Sequence, residues 1–360
     1  MAKGKRKRKA GGHARARPRP GRIHEETADD DPRREKVFRG RQNAPALPEE
    51  ASVGELAGDV RDGRVVALFG GEILVEPAAG GEPVTAHLRK STRVPHRGAN
   101  PVTVGDFVRY LEGAVPPHVL TEVLPRRTHL TRLRHGGQSQ VVCANVDLGV
   151  VVGSAAEPPF KPRLVDRYVI SFRLGGLAPA LVLNKVDLVG PGGIDEWLAL
   201  YRSLGVEAVG VSAATGAGVS ALEAMLRGKT SVFAGQSGVG KSSLLNRLAG
   251  LDLRTADVYG KLGKGRHTTT SSTLYRLPSG GEVIDTPGVR SFGLPPVTRE
   301  AVHEFFPEIE EAARGCRFGD CRHSGDEGCA VEEAVRAGRI PVDRLDSFLA
   351  LREEGVGRAR

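Results

Sequence analysis

The chain has no run of about 18 apolar residues, the length needed to cross a bilayer. Its best apolar candidates, such as LGVVVG at Leu148–Gly153, have the size of short buried strands. No apolar stretch follows the basic N-terminus, which excludes a secretory signal, and no serine occurs before Ser52, which argues against an organelle transit peptide. A cytoplasmic protein with no membrane partner is the expectation. Cysteine is scarce, four in 360 residues, so a disulfide framework is not expected. Acidic residues are missing from the first 22 positions, which hold ten Lys or Arg. The formal net charge of +9 therefore sits in a detachable arm, and the remainder is close to neutral. An arm this dense suits a polyanion such as nucleic acid; the plainer alternative is a solvated tail.

At 360 residues the chain exceeds the roughly 250 residues at which single cores stop growing. Residues 1–55 lack periodic apolar positions. They pass from the basic arm through an acidic patch (Glu25, Glu26, Asp29, Asp30, Asp31) into a linker, and read as disordered. Residues 56–126 hold five short apolar runs broken by glycine: GRVVALF, GEILVEP, PVTAHLR, DFVRYLE and HVLTEVL. Five strands in so short a stretch suit a small β-barrel, and composition does not separate an OB-fold from an SH3-like one. The basic segment Pro125–His135 that follows is expected to face phosphate. Residues 127–293 alternate apolar strands with helical stretches, the pattern of a parallel, doubly wound α/β sheet. Residues 294–360 read as helical, with Val342, Leu345, Phe348 and Leu349 spaced for one helix face.

GQSGVGKSS, Gly235–Ser243, satisfies G-x-x-x-x-G-K-[ST] between the apolar run SVFA and the helical LLNRLAG. In such a loop Gly235, Gln236, Ser237, Gly238, Val239 and Gly240 turn backbone N–H groups toward phosphates. Lys241 then places a cation at the β- and γ-phosphates, and Ser242, with Ser243 beside it, offers a hydroxyl to Mg²⁺. NKVD supplies the base reader. The Asp187 carboxylate can accept from the two donors on guanine's N1–N2 edge, Lys185 can lay its stem along the ring, and Asn184 opens the motif. Adenine lacks those donors and would leave a buried acid unpaired. Ser212 and Ala213 end a further strand, where a backbone N–H can meet guanine O6. DTPG offers Asp285 for the Mg²⁺ water shell and Gly288 for the γ-phosphate.

These motifs run NKVD, VSA, GQSGVGKS, switch, DTPG, whereas the common GTPase order begins with the phosphate loop. The sheet is read as circularly permuted, which attaches the barrel to the base-recognition half and the C-terminal region directly to DTPG. Where many GTPases place a water-orienting glutamine after DxxG, this chain has Val289, so unaided hydrolysis is expected to be slow. Within GKGRHTTTSST, Thr268, Thr269 or Thr270 can supply a Mg²⁺ or γ-phosphate ligand. His267 can orient water, or stand as an ordinary solvated loop residue.

Three of the four cysteines cluster with a histidine as Cys316, Cys321, His323 and Cys329. No C-x-x-C pair is present, which disfavours redox chemistry. Three thiolates and an imidazole make a closed tetrahedral set suited to one structural Zn²⁺. Cys143 stands apart and reads as a buried, inert thiol.

Together these residues resemble the YjeQ/YloQ (RsgA) family of small-ribosomal-subunit-dependent GTPases. The likeness covers roughly residues 56–360, with FPEI, CRFGDCRH, GCAV, GRHTTT and DRY adding to the nucleotide motifs. The resemblance implies an OB-type barrel touching ribosomal RNA and GTP/GDP bound with Mg²⁺. It also implies hydrolysis stimulated by the small subunit late in its maturation and coupled to release, with His267 as the water-orienting residue. A monomer is expected. A GTP-gated RNA-binding module, a small-molecule kinase and a large-subunit assembly factor are the alternatives; NKVD, VSA and DTPG speak against the kinase.

Overall fold

β1 (Asp59–Phe69) joins the barrel to the following domain through a register shift between Val65 and Ala67: Val65 is buried in the barrel core, whereas Val66 and Ala67 are buried in the core of the following domain. The computed structural model describes residues 58–69, 72–95, 100–113, 117–133, 139–250, 272–285 and 301–355. All of them lie in one unit, Val53–Arg360. The tail over 1–55 lies outside the described residues.

The remaining barrel strands are β2 (Glu72–Pro77), β3 (Val84–Arg93), β4 (Phe107–Glu112) and β5 (His118–Val123). They close a ring in the order β1–β2–β3–β5–β4–β1. β3 and β5 are parallel and the other pairs antiparallel. This five-stranded Greek-key closure is that of an OB-type barrel. Two polar devices fasten it to the next domain. Arg126 forks onto Asp106 at 2.7 and 2.8 Å, both side chains nearly fully buried. Asn145 donates to Gly105 O at 2.9 Å and accepts from Arg127 N at 3.0 Å. The basic segment is therefore only partly available to phosphate. Arg126 is consumed inside the fold, and Arg132 donates to Gln140 across a hairpin of β6 (His129–Leu133) and β7 (Ser139–Ala144).

The second sheet holds β8 (Leu148–Ser154), β9 (Ala178–Asn184), β10 (Glu207–Gly210), β11 (Thr230–Ala234), β12 (Thr273–Arg276) and β13 (Glu282–Asp285). Their order is β10-β9-β8-β11-β13-β12, parallel except for β12. β8 and β11 are buried along their whole length, as central parallel strands covered on both faces must be. Helices α1 (Pro162–Leu174) and α2 (Asp195–Ser203) cover one face. Helices α3 (Val219–Leu226) and α4 (Lys241–Ala249) cover the other. From β8 the sheet grows outward through β9 to β10, then returns to the opposite side of β8 with β11. The β8–β11 seam is therefore the topological switch point, where open α/β sheets bind ligands.

Helices α5 (Pro307–Ala313), α6 (Ala330–Arg336) and α7 (Val342–Gly355) follow a 3-10 turn at Ala301–Phe305. They surround a small core that includes Phe306, Ile309, Val331 and Phe348, into which Ile170 of α1 also inserts. Among the described residues no helix is long and apolar enough to cross a membrane.

Candidate functional site

The phosphate-loop sequence leaves the C-terminal end of β11, at the switch point, and its last glycine caps α4 in the left-handed region. Glycine is required at two places. A Cβ on Gly235 would sit 2.2 Å from Val152 O, and one on Gly240 2.3 Å from Asn184 Nδ2, with φ of 143° and 95°. Lys241 Nζ donates to Gly235 O and Gln236 O at 2.7 Å each, so its ammonium sits inside the curl of the loop. Ser237, Gly238, Ser242 and Ser243 are exposed along its rim, while Val239 is buried and anchors the loop in the core. Asp285 ends β13, the strand next to β11. Burial raises its carboxyl above the ordinary range and the Lys241 ammonium draws it back. This places an acid beside the phosphate-loop lysine.

The residues expected to read the base lie at the ends of β9 and β10, on the other side of β8. Asn184 closes β9 and braces both halves of the site. Its Nδ2 donates to Val239 O of the phosphate loop at 2.9 Å, and its Oδ1 accepts from Ala213 N at 3.0 Å. Lys185 has a positive φ of 66°. Its ammonium donates to Gly238 O at 2.8 Å and to Glu157 O. Asp187 follows in a 3-10 turn, Val186–Leu188, with its side chain exposed. Ser212 is fully buried and its Oγ accepts from Thr215 N at 3.0 Å, shaping the turn that carries Ala213. Arg247 on α4 donates to Ala213 O at 3.0 Å and Ala214 O at 3.2 Å, a second tie between the halves.

The fold thus brings Asn184, Lys185, Ser212, Ala213, Gly235 to Ser243 and Asp285 to one edge of one sheet, despite their permuted order in the chain. His267, Thr268, Thr269, Thr270 and Gly288 lie outside the described residues. Sequence reasoning missed Asn184 as a brace, Arg247 as a tie and Tyr168 beneath the loop. NKVD marks Asn184 and the DRY string marks Tyr168, whereas no motif marks Arg247. Asn184→Ala leaves Val239 O and Ala213 N unpaired, at about 1–3 kcal/mol each. GTP affinity is expected to fall by roughly 100-fold, and titration with a fluorescent guanine nucleotide at parental affinity would contradict the bracing role.

The Cys–His cluster forms a second centre. The ligand atoms of Cys316, Cys321, His323 and Cys329 all lie within 4.8 Å of one another. His323 Nδ1 is 3.7 Å from Cys316 Sγ and 3.5 Å from Cys329 Sγ. Tetrahedral zinc with ordinary bond lengths requires about 3.6 Å between sulfur and nitrogen ligands, so the donor set fits the ion in number, type and spacing. Cys329 caps α6, where its Sγ accepts from Glu332 N at 3.4 Å. His323 is 3% exposed. Cys143 lies elsewhere, fully buried, with burial pushing its thiol up to about 12. It is buried, as expected.

A doubly wound sheet whose phosphate loop follows the base-reading strands defines a circularly permuted P-loop GTPase carrying an N-terminal barrel and a C-terminal helical domain. The chain matches the RsgA GTPase family over residues 123–295. It is 41% identical over 300 residues to a small ribosomal subunit biogenesis GTPase RsgA of Chlorobaculum parvum, covering 80% of this chain and 96% of the relative. A relative of the same name from Azotobacter vinelandii is 40% identical over 321 residues, 87% of this chain and 91% of its own length. Among solved structures, YjeQ from Thermotoga maritima is similar with a TM-score of 0.64 at 31% identity, covering 83% of this chain and all of that one. YloQ, a circularly permuted GTPase, is similar with a TM-score of 0.60 at 25% identity, over 85% of this chain and 98% of that one. The chain belongs to the RsgA GTPase family and is a GTP hydrolase, a class that uses guanine nucleotide with Mg²⁺.

Proposed function

We propose that the chain hydrolyses GTP late in maturation of the small ribosomal subunit, that the subunit stimulates hydrolysis, and that hydrolysis releases the protein from it. The observation that carries this reading is agreement over most of the chain. This chain carries a barrel, a permuted GTPase sheet and a Cys₃His cluster in that order, and 80% of it aligns with 96% of a relative named for small-subunit biogenesis.

In this reading the backbone of Gly235–Gly240 and the Lys241 ammonium hold the phosphates, and Asp187 with Ala213 reads guanine. Ser242 and Asp285 would hold Mg²⁺, which when bound supplies charge at the β- and γ-phosphates. Gly288 contacts the γ-phosphate, Thr268 or Thr269 completes the phosphate and metal contacts, and His267 orients the attacking water. Cys316, Cys321, His323 and Cys329 hold one structural Zn²⁺. The barrel meets ribosomal RNA, the basic arm adds phosphate contacts, and the protein acts as a cytoplasmic monomer.

With Val289 in the position of a water-orienting glutamine, unaided turnover is expected to be slow. Purified small subunits are expected to raise it by at least about 10-fold, within the range that supplied catalytic contacts reach; large subunits are expected to have little effect. Turnover measured with each subunit at low and moderate salt tests this. Absence of stimulation by small subunits at either salt would defeat the reading. Removing residues 1–22 is expected to make subunit binding less salt-dependent.

A further inference from the structure

Helix α1 is held from both sides. On the sheet side, Tyr168 is fully buried and its Oη accepts the backbone N–H of Gly235, the first residue of the phosphate loop. Its ring stacks on Phe172 at 6.2 Å. Phe172 in turn presses onto Gly149 of β8, where an added Cβ would lie 2.3 Å from the ring. The helix therefore has no slack against the strand that flanks β11.

The opposite side faces the C-terminal domain. Asp166 Oδ1 accepts from Arg344 Nη1 at 2.5 Å, with both side chains almost wholly buried. Arg344 also binds Glu308 Oε1 through Nε at 2.7 Å and lies 4.2 Å over the Phe306 ring. Ile170, one turn on, inserts into the C-terminal core, and Arg167 pairs with Glu354. Asp166 and Tyr168 are two positions apart, about 200° around a helix. One rigid rod thus carries the ion pair on one face and the phosphate-loop contact on the other. A buried ion pair tolerates little displacement, because each charge is stranded when its partner moves.

We propose that Tyr168 is a positioning residue for the phosphate loop, and that the C-terminal domain sets its position through Asp166–Arg344. GTP grip would then depend on whether that domain is docked. The inference rests on the assignment of Gly235–Ser243 to phosphate binding, and not on the ribosomal partner.

The test is a double-mutant cycle on the full chain with its metal loaded, reading dissociation of a fluorescent GTP analogue. Tyr168→Phe deletes one oxygen and is expected to speed dissociation about fivefold, the worth of one hydrogen bond. Arg344→Met is expected to speed it similarly while the metal content stays at the parental value. Because both act through α1, the double variant is expected near fivefold, not at the roughly 25-fold of independent sites. If Arg344→Met fails to fold, Arg344→Lys, which keeps the charge but loses the fork, takes its place in the cycle. A parental rate in either single variant, or rates that multiply in the double, would overturn the proposal. A parent chain unable to hold the analogue would instead defeat the phosphate-loop assignment itself.

Discussion

Asp187→Asn is expected to weaken GTP binding by roughly 100- to 1000-fold and to transfer preference to the xanthine nucleotide. The wild-type carboxylate can accept from guanine N1–H and from the exocyclic amine together, two hydrogen bonds to a charged group. At about 1.5–3 kcal/mol each, losing most of that interaction gives the stated range. An asparagine amide still accepts from N1–H, but its NH₂ meets guanine's amine donor to donor. Xanthine carries a carbonyl at that carbon, so the same NH₂ finds an acceptor. The backbone is already set for this role. Asn184 fixes the end of β9, Lys185 turns the chain at positive φ, and Asp187 projects from the turn into solvent. The Asn184 brace contains no atom of Asp187, so the substitution leaves the phosphate half in place. Competition titration with GTP, XTP and ATP reads the switch. Unchanged GTP affinity in the variant would contradict the assignment of Asp187, and equal affinity of the parent for ATP and GTP would contradict base recognition altogether.

Much of this site is legible in the sequence because its chemistry is local. A phosphate loop needs its glycines and lysine at fixed offsets, and NKVD, VSA and DTPG each close an apolar run, so the strands and their functional ends are read together. Permutation does not obscure them, since each motif is positioned by its own strand and the sheet restores their neighbourhood. The barrel's type was not legible in composition and came only from the family resemblance. Its closure depends on pairing β1 with β4 and running β3 parallel to β5, long-range choices that five similar apolar runs do not encode. Pro125–His135 was legible only in part, for a related reason. A dense arginine segment reads as phosphate-facing, but Arg126 pairs with Asp106 and β6 pairs with β7, and neither partner is marked by local spacing. The Asp166–Arg344 pair joins residues 178 positions apart. Nothing near DRY announces it.

Removal of the metal is expected to unfold the C-terminal domain while leaving the barrel and the GTPase sheet folded. The parent is expected to carry one zinc by elemental analysis, and Cys321→Ser, which exchanges a thiolate ligand for a hydroxyl, to carry none. The difference in outcome follows from where the ligands sit. Cys316, Cys321 and Cys329 pack against or within the C-terminal core, together with Phe306, Ile309 and Phe348. The barrel core and the two cores flanking the sheet contain none of the four ligands. A helical segment this short buries too little apolar surface to offset its chain entropy comfortably. Structural zinc contributes about 10 kcal/mol or more to small domains, enough to decide whether this one folds. Limited proteolysis is therefore expected to cut the variant within 301–355 first, and one early and one parental unfolding transition are expected on heating. Parental protease resistance in a chain shown to lack zinc would mean that the helices hold one another without it. Arg344 lies in the part expected to unfold, so metal removal should also release the Asp166 face of α1 and speed nucleotide dissociation, as the ion-pair variant does.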